Sequence, residues 1–353
     1  MSQIHKSQGK YAKAAFALLR LFGFKSIPAI AKILQTYIPF PLLHLYRTYK
    51  YNLSTVIDRQ LSNLFRNQVA TTKKLIANRK TILFYPEFPT SGAIYYICLF
   101  LGYNVTNNPE AAFDLCIKWK DATFSPKDYV LFRLSVQNPI LSIVNINCEN
   151  ISKSYVDRVF HTVFGYSVTV DPLTYTGQCV MKSDLNGQHD GKIISCPIDA
   201  VEPGIVYNKL INNEVEDGKV LLLRVPVFKY IIPFVYLKYF PVEHRFGRSF
   251  AHLISVRLAE AQDIFSEVEI SKILCFCQKL GLDYGELDIL RDRRDRRLYI
   301  VDANNTPSAT MIYNPLDLPL DKQKCFLSPS DRLIALQKLA QAFKTALLNP
   351  SKL

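Results

Sequence analysis

Residues 282 to 307 read Leu-Asp-Tyr-Gly-Glu-Leu-Asp-Ile-Leu-Arg, a charged turn, then Leu-Tyr-Ile-Val-Asp-Ala-Asn-Asn-Thr-Pro. Leu287, Ile289 and Leu290 in the first run, and Leu298, Ile300 and Val301 in the second, put apolar side chains on both faces. That texture belongs to strands covered on both sides, not to a hairpin with one wet face. Set into these strands are Asp288, Asp302 and Asn304. A carboxylate there is costly unless a positive charge offsets it, so the fold must bring cations or a metal to this hairpin. If Asp292 to Arg296 form the turn, Arg291 pairs with Arg297 and Asp288 lies opposite Ile300, diagonal to Asp302 on the same face. The facing arginines then need a solvated hairpin end, or the register shifts. Diagonal carboxylates roughly 7–8 Å apart between Cα atoms can share one or two Mg²⁺ ions, and Asn304, at the same parity, adds a neutral oxygen. The plainer alternative is a hairpin whose acids pair with nearby arginines.

A chain of 353 residues, 49% hydrophobic, is long enough for two or three domains. Its formal net charge of +13 is unevenly placed: residues 1 to 80 hold 14 Lys and Arg against the single acid Asp58. Phe16, Leu19, Phe22, Ile30, Ile33, Leu34 and Tyr37 recur at helical spacing among Lys10, Lys13, Arg20, Lys25 and Lys32. The segment therefore reads as basic and mainly helical, suited to packing on the core, to an acidic partner, or to a membrane surface through residues 1 to 45. No nucleic-acid module motif accompanies the charge, so no nucleic-acid partner is expected. No apolar run has the length of a membrane span, and the start lacks the pattern of a signal peptide. The eight cysteines contain no zinc-type pair and read as reduced thiols of a cytoplasmic protein, at most peripheral at the inner membrane surface.

From residue 81 the texture changes to a strand at Thr81 to Tyr85, a turn with Pro86, Pro89 and Gly92, a helix to Leu101, and strands near Gly102 to Thr106 and Phe113 to Trp119. Residues 81 to 150 read as a small α/β domain. A helix from Ile151 stops at Gly165, and Tyr166 to Val170 reads as a strand. Cys179 to Lys182 is a strand ending in a lysine, followed by a turn containing Asn186, Gly187, His189 and Gly191. A strand lysine can place a point charge on a phosphate, and glycines let backbone N–H groups approach its oxygens. Gly204 to Tyr207 is apolar and breaks into Asn208, Lys209, Leu210 and Ile211. Val220 to Val227 and Phe234 to Phe240 form a second hairpin carrying Arg224 and Lys238. Two helices, Ser249 to Phe265 and Glu267 to Leu280, precede the acidic hairpin, and a last helix spans Ser330 to Leu348.

The order of these signals resembles the ATP-grasp superfamily, whose C-terminal hairpin carries a strand Asp, then an acid two residues before an Asn, then a small turn with Pro, here Asp288, Asp302, Asn304 and Thr306-Pro307. The resemblance covers residues 81 to about 315. It implies an α/β (α+β) fold, with a preceding small α/β domain and an ATP-grasp domain over residues 151 to 348. It further implies ATP and Mg²⁺, one or two ions with Mn²⁺ an acceptable substitute, held by Asp288, Asp302 and Asn304. Lys182 and Lys153 would contact the phosphates, with Asn186, Gly187 and Gly191 in the covering loop. Asn208 to Ile211 would line the adenine. Arg224, Lys238 and Arg245 would serve the γ-phosphate and a substrate carboxylate, with Glu286 a further candidate. The implied activity is ligation of a small-molecule or peptide carboxylate to an amine or thiol through an acyl phosphate. A phosphotransferase and a non-catalytic nucleotide-binding protein remain alternatives. The loop departs from the family pattern at Gln188-His189-Asp190, where more Gly and Ser are usual.

Overall fold

The computed structural model describes residues 79–137 apart from Ser91, 143–246 apart from Asp217, 252–312 and 325–348. The basic N-terminal segment, with its core-packing, partner and membrane readings, lies outside the described residues. Strands β1 (Thr81–Pro86), β2 (Asn104–Thr106), β3 (Leu115–Trp119) and β4 (Ile143–Val144) form a parallel sheet ordered β2-β1-β3-β4. Helix α1 (Ala93–Phe100) follows β1, and α2 (Tyr129–Gln137) precedes β4. Parallel neighbours need such crossovers. β3 is buried over its whole length, consistent with its near-continuous apolar sequence.

Helix α3 (Lys153–Phe164) starts at the cap Ser152, whose side chain accepts from the Tyr155 amide, and stops at Gly165 in the left-handed region, φ 82°. An antiparallel sheet ordered β6-β5-β7 follows, built from β5 (Gly177–Ser183), β6 (Lys192–Cys196) and β7 (Ile205–Lys209). The third sheet is also antiparallel, with β11-β10-β9-β12-β13 in line and β8 paired on β9. Its strands are β8 (Glu214–Glu216), β9 (Lys219–Phe228), β10 (Val235–Pro241), β11 (Ser255–Ala259), β12 (Tyr284–Arg291) and β13 (Leu298–Asn304). Between β11 and β12 lie the short α4 (Ala261–Ile264) and α5 (Glu267–Leu280), the latter opened by a reciprocal Ser266–Glu269 capping box. Helix α6 (Pro329–Ala342) continues as a wider turn to Leu348. All described residues belong to one compact unit spanning 75–353, and none of their helices is long and apolar enough to cross a membrane.

The large sheet positions the site because its two faces differ. Leu223, Val225, Leu287, Ile289, Ile300 and Ala303 form a core with Phe160 of α3 and with Ile273 and Phe276 of α5. Alternation then turns Leu222, Arg224, Glu286, Asp288, Asp302 and Asn304 to the opposite face, where they line a cavity.

Three local expectations are corrected. Asp288 stands directly opposite Asp302, not diagonal to it, and Arg291 pairs with Leu298, not Arg297. The register shifts between Asp288 and Ile289, leaving Val301 as the extra residue of a bulge. The slip removes the facing arginines, and Arg291 instead reaches Glu269 at 2.8 Å and the Ile264 carbonyl at 2.9 Å. Tyr166 to Val170 makes no strand, only an isolated bridge between Thr169 and Asn208. The buried Asp157 carboxylate accepts the Val168 and Thr169 amides at 2.8 and 3.3 Å, which holds the chain in a turn. Where a helix was expected over Ser249 to Phe265, Ser255–Ala259 is β11, an edge strand whose Val256 packs opposite Lys238. Val256 and Leu258 alternate with Ser255 and Arg257, a period of two that satisfies the β10 edge better than a helix.

Candidate functional site

A cavity of about 440 Å³ lies between the three-stranded sheet and the polar face of the large sheet. Every residue that the sequence singled out for catalysis, nucleotide or metal lines it: Lys153, Lys182, Asn186, Gly187, Gly191, Asn208, Lys209, Leu210, Ile211, Arg224, Lys238, Arg245, Asp288, Asp302 and Asn304. They come from different elements, so their convergence is a property of the fold.

One cross-strand row forms the floor. Tyr236 on β10, Arg224 on β9, Asp288 on β12 and Asp302 on β13 occupy successive partner positions, with Glu286 opposite Asn304 in the next row on the same face. The Arg224 guanidinium donates through Nε to Glu286 and through Nη1 to Asp288 at 3.2 and 3.4 Å. Burial works against its charge, yet Asp288 and Glu286 outweigh burial and hold it firmly protonated. Asp302 has the opposite balance, since burial and the facing Asp288 raise its pKa against the pull of Lys153, Lys182 and Arg224. Two carboxylates held face to face, one of them electrostatically strained, form a donor set that a hard divalent ion fits, with the Asn304 amide alongside. Among the described residues no three His, Cys, Asp or Glu side chains converge on a common metal point. A metal here would thus take two carboxylates and an amide from the protein and the rest of its oxygens from a bound ligand, the usual manner of Mg²⁺ at phosphates.

Above this floor, the Lys182 ammonium lies 3.4 Å from the Val301 carbonyl, and the Asn208 amide, oriented with its oxygen inward, accepts from it at 3.3 Å. Burial pulls Lys182 down to about 8, although Asp302 resists this. Lys238, 6% exposed, is likewise pulled down to about 8 by burial and by Arg224 beside it. Both lysines carry a proton at neutral pH at a cost that an incoming polyanion would relieve. Lys153 is the first residue of α3, and its ammonium donates to the Leu185 carbonyl of the β5–β6 loop. Asp184 docks that loop on the helix start, accepting from the Ser154 amide and hydroxyl at 2.7 and 2.9 Å. Farther along, the Asn186 amide donates to Thr123 at 2.9 Å, and Asp190 accepts from the Ser183 amide at 3.2 Å. Gly187 sits in the left-handed region at φ 73°. The exposed His189 also lines the cavity.

The far side is formed by the segment leaving β7. Asn208 is buried and Leu210 and Ile211 line the cavity. Lys209 lines it as well, but its ammonium is turned to Tyr299 at 2.8 Å and Asp295 at 3.0 Å, so the segment offers backbone there rather than this charge. Burial is outweighed by those two partners, which raise the Lys209 pKa above the ordinary lysine value. Arg245 stands at the opposite rim, with its Nε buried and without a hydrogen-bond partner and its pKa lowered by burial. Sequence reasoning gave Glu286 only secondary weight and omitted Tyr236, Asp190 and Asp121, all near or on the cavity wall. The parity of Glu286 with Asp288 was the signal available for the first; the others are brought in by tertiary packing.

No protein-family model matches the chain, and no curated protein sequence matches it. Solved structures do. The ATP-grasp ligase PsnB complexed with minimal precursor, Mg and ADP is similar at 12% identity and TM-score 0.45, over 73% of this chain and 97% of that one. D-alanine–D-alanine ligase from Bacillus anthracis is similar at 12% identity and TM-score 0.44, over 76% and 96%. The macrocyclase MdnC bound with precursor peptide MdnA, from Microcystis aeruginosa MRC, is similar at 13% identity and TM-score 0.35, over 69% and 97%.

Proposed function

We propose that this chain is an ATP-dependent ligase that joins a carboxylate to an amine or thiol through an acyl phosphate. One observation carries the reading: the facing Asp288 and Asp302, with Asn304, stand in the same cavity as the part-buried strand lysine Lys182, a glycine-containing loop and the linker backbone around Leu210 and Ile211. The Arg224 ion pair with Asp288 accounts for one of these acids as a structural pair, but not for the facing Asp302 or for the lysine and loop gathered around it. In this reading the base of ATP lies against Asn208 to Ile211, and Lys182 and Lys153 meet the phosphates. The backbone around Asn186, Gly187 and Gly191 closes over the phosphate chain. Asp288, Asp302 and Asn304 would hold Mg²⁺, or Mn²⁺ in its place, and the bound ion would supply charge neutralisation for the transferred phosphoryl group.

Arg224 serves two states. Without ligand it offsets Glu286 and Asp288; with substrate present, its remaining guanidinium edge is aimed at the cavity for a carboxylate or phosphate oxygen. Lys238 and Arg245 complete the cationic wall that orients the substrate carboxylate toward the γ-phosphorus. The carboxylate oxygen forms the new bond to phosphorus as the bond to ADP breaks. The amine or thiol then attacks the acyl carbon, loses a proton and expels inorganic phosphate. The chain's contribution is positioning and charge stabilisation.

The test is ADP release on a panel of carboxylates with hydroxylamine as a general nucleophile. The reading predicts carboxylate-dependent ADP formation with stoichiometric hydroxamate. ADP release accompanied by a stable phosphorylated product, and no hydroxamate, would replace ligation with phosphoryl transfer.

A further inference from the structure

The turn between β12 and β13 has the sequence Asp-Arg-Arg-Asp-Arg-Arg over residues 292 to 297, six consecutive charges that no step of the proposed reaction uses. A solvated hairpin end would leave them all in water. Asp292, however, is 0% exposed, and the turn is fastened to the linker beyond β7. The linker runs irregularly over residues 210–213, between β7 and β8. Its Ile211 and Asn213 carbonyls accept the Asn213 and Leu221 amides at 3.1 and 3.0 Å, and the turn supplies partners for the other two. Arg294 donates from Nη2 to the Leu210 carbonyl at 3.1 Å, and the Arg293 amide donates to the Asn212 carbonyl at 2.7 Å. Lys209 is held by side chains of the same turn, Asp295 at 3.0 Å and Asp292 at 3.4 Å. Internal bonds fix the turn itself, since the Arg294 amide donates to the Asp292 carboxylate at 2.9 Å and the Asp292 amide to the Arg297 carbonyl at 3.0 Å. Among the described residues lining the cavity are Lys209, Leu210, Ile211 and Asn213, but none from 292 to 297.

From this juxtaposition we infer that the 292–297 turn is a clamp that sets the path of the base-reading linker, with Arg294 as a positioning residue for base selectivity. The inference rests on the reading of the cavity as a nucleotide site. The clamp belongs to the same hairpin as Asp288 and Asp302, so one rigid element fixes both the acids and the backbone that faces the base. Hydrogen bonds between a linker and a purine tolerate little displacement, whereas the phosphate contacts are made by Lys182, Lys153 and the loop on other elements. Loosening the clamp should therefore weaken the nucleotide whose base the linker fits and leave a nucleotide with a mismatched base nearly untouched. Arg294 suits the test because its side chain is 64% exposed, so truncation leaves the core intact.

The experiment measures Kd for ATP and for GTP, each with Mg²⁺, in the full chain and in Arg294→Ala, with a thermal melt of each. The clamp predicts that wild type prefers ATP, and that Arg294→Ala raises the ATP Kd about 3- to 10-fold while the GTP Kd changes less than about 2-fold. Arg294→Gln, which keeps a donor, should fall between, and serves in place of the alanine variant if that one melts early. Equal weakening of both nucleotides, unchanged ATP affinity, or no base preference in wild type would each overturn the clamp. Absence of ATP binding in folded wild type would instead remove the nucleotide reading beneath it.

Discussion

The hairpin β12–β13 and the loop between β5 and β6 face each other across the cavity and hold their functional groups by different means. In the hairpin, Asp288 and Asp302 stand on strands whose other face is packed against α3 and α5, and Arg224 is fixed between Glu286 and Asp288. In the loop, Leu185, Gly187, Gln188 and His189 are exposed, and the segment is tied down by Asp184 at one end and Asp190 at the other. A rigid sheet can keep like charges close because neighbouring strands cannot move apart without losing core. A solvated loop cannot, and in the proposed site it would contribute backbone amides instead. The division suits a site in which charge is stored on one wall and a cover is drawn over from the other.

The largest effect that separates the two walls should come from Arg224→Met. With the guanidinium gone, the buried Glu286 and the part-buried Asp288 lose their cation, and urea unfolding should show a loss on the order of 3–5 kcal/mol. Adding Glu286→Gln and Asp288→Asn should restore most of it; a single variant as stable as wild type would show that the floor is not held by this charge balance. Next is Gly285→Ala. Its new Cβ would stand 2.5 Å from the Asn304 carbonyl oxygen and 2.8 Å from Leu282, so β12 and β13 must shift, costing about 1–3 kcal/mol in the same assay. The loop counterpart, Gly187→Ala, adds a Cβ with nothing within 4 Å, although φ is +73°. Only backbone strain of about 1 kcal/mol follows, seen as a melting shift of a few degrees. Equal losses at Gly285 and Gly187 would erase the contrast.

The pH response is smaller and sharpens the same contrast. Lys182 and Lys238 are both pulled from 10.5 down to about 8, the first chiefly by burial against Asp302, the second by burial with Arg224. Between about pH 8 and 10.5 the unfolded chain then binds more protons than the folded one, so stability must rise with pH across that window. Below about 8 both states are protonated and the penalty is constant. Melting of the nucleotide-free protein should thus shift upward relative to Lys182→Met as pH rises from 8 to 10, and parallel curves would contradict the burial of this lysine.

How much of this was legible in the sequence differs by element. Acids inside apolar strands announce themselves, because burial without a partner is too costly to be accidental; Asp288, Asp302 and the need for an offsetting cation follow from that, whereas Arg224 as that cation comes from the family resemblance. The register did not, since it depends on a bulge at Val301 that local pattern does not encode. The five residues of β11 lie in the middle of a long mixed segment that reads as a helix, and only the open edge of β10 decides their state. Lys209 was assigned to the nucleotide by position in its linker, but Asp292, Asp295 and Tyr299, more than 80 residues downstream, turn its side chain away. Motif order gave the place of each residue, and long-range partners gave its direction.

The most direct test of the central claim is calorimetric titration of ATP with and without Mg²⁺, in wild type and in the Asp302→Ala, Asn304→Ala double variant, with melts to verify folding. The account predicts binding to wild type that is strengthened by Mg²⁺, and loss of that metal dependence in the variant. No ATP binding by folded wild type, or an identical Mg²⁺ response in the variant, would contradict it.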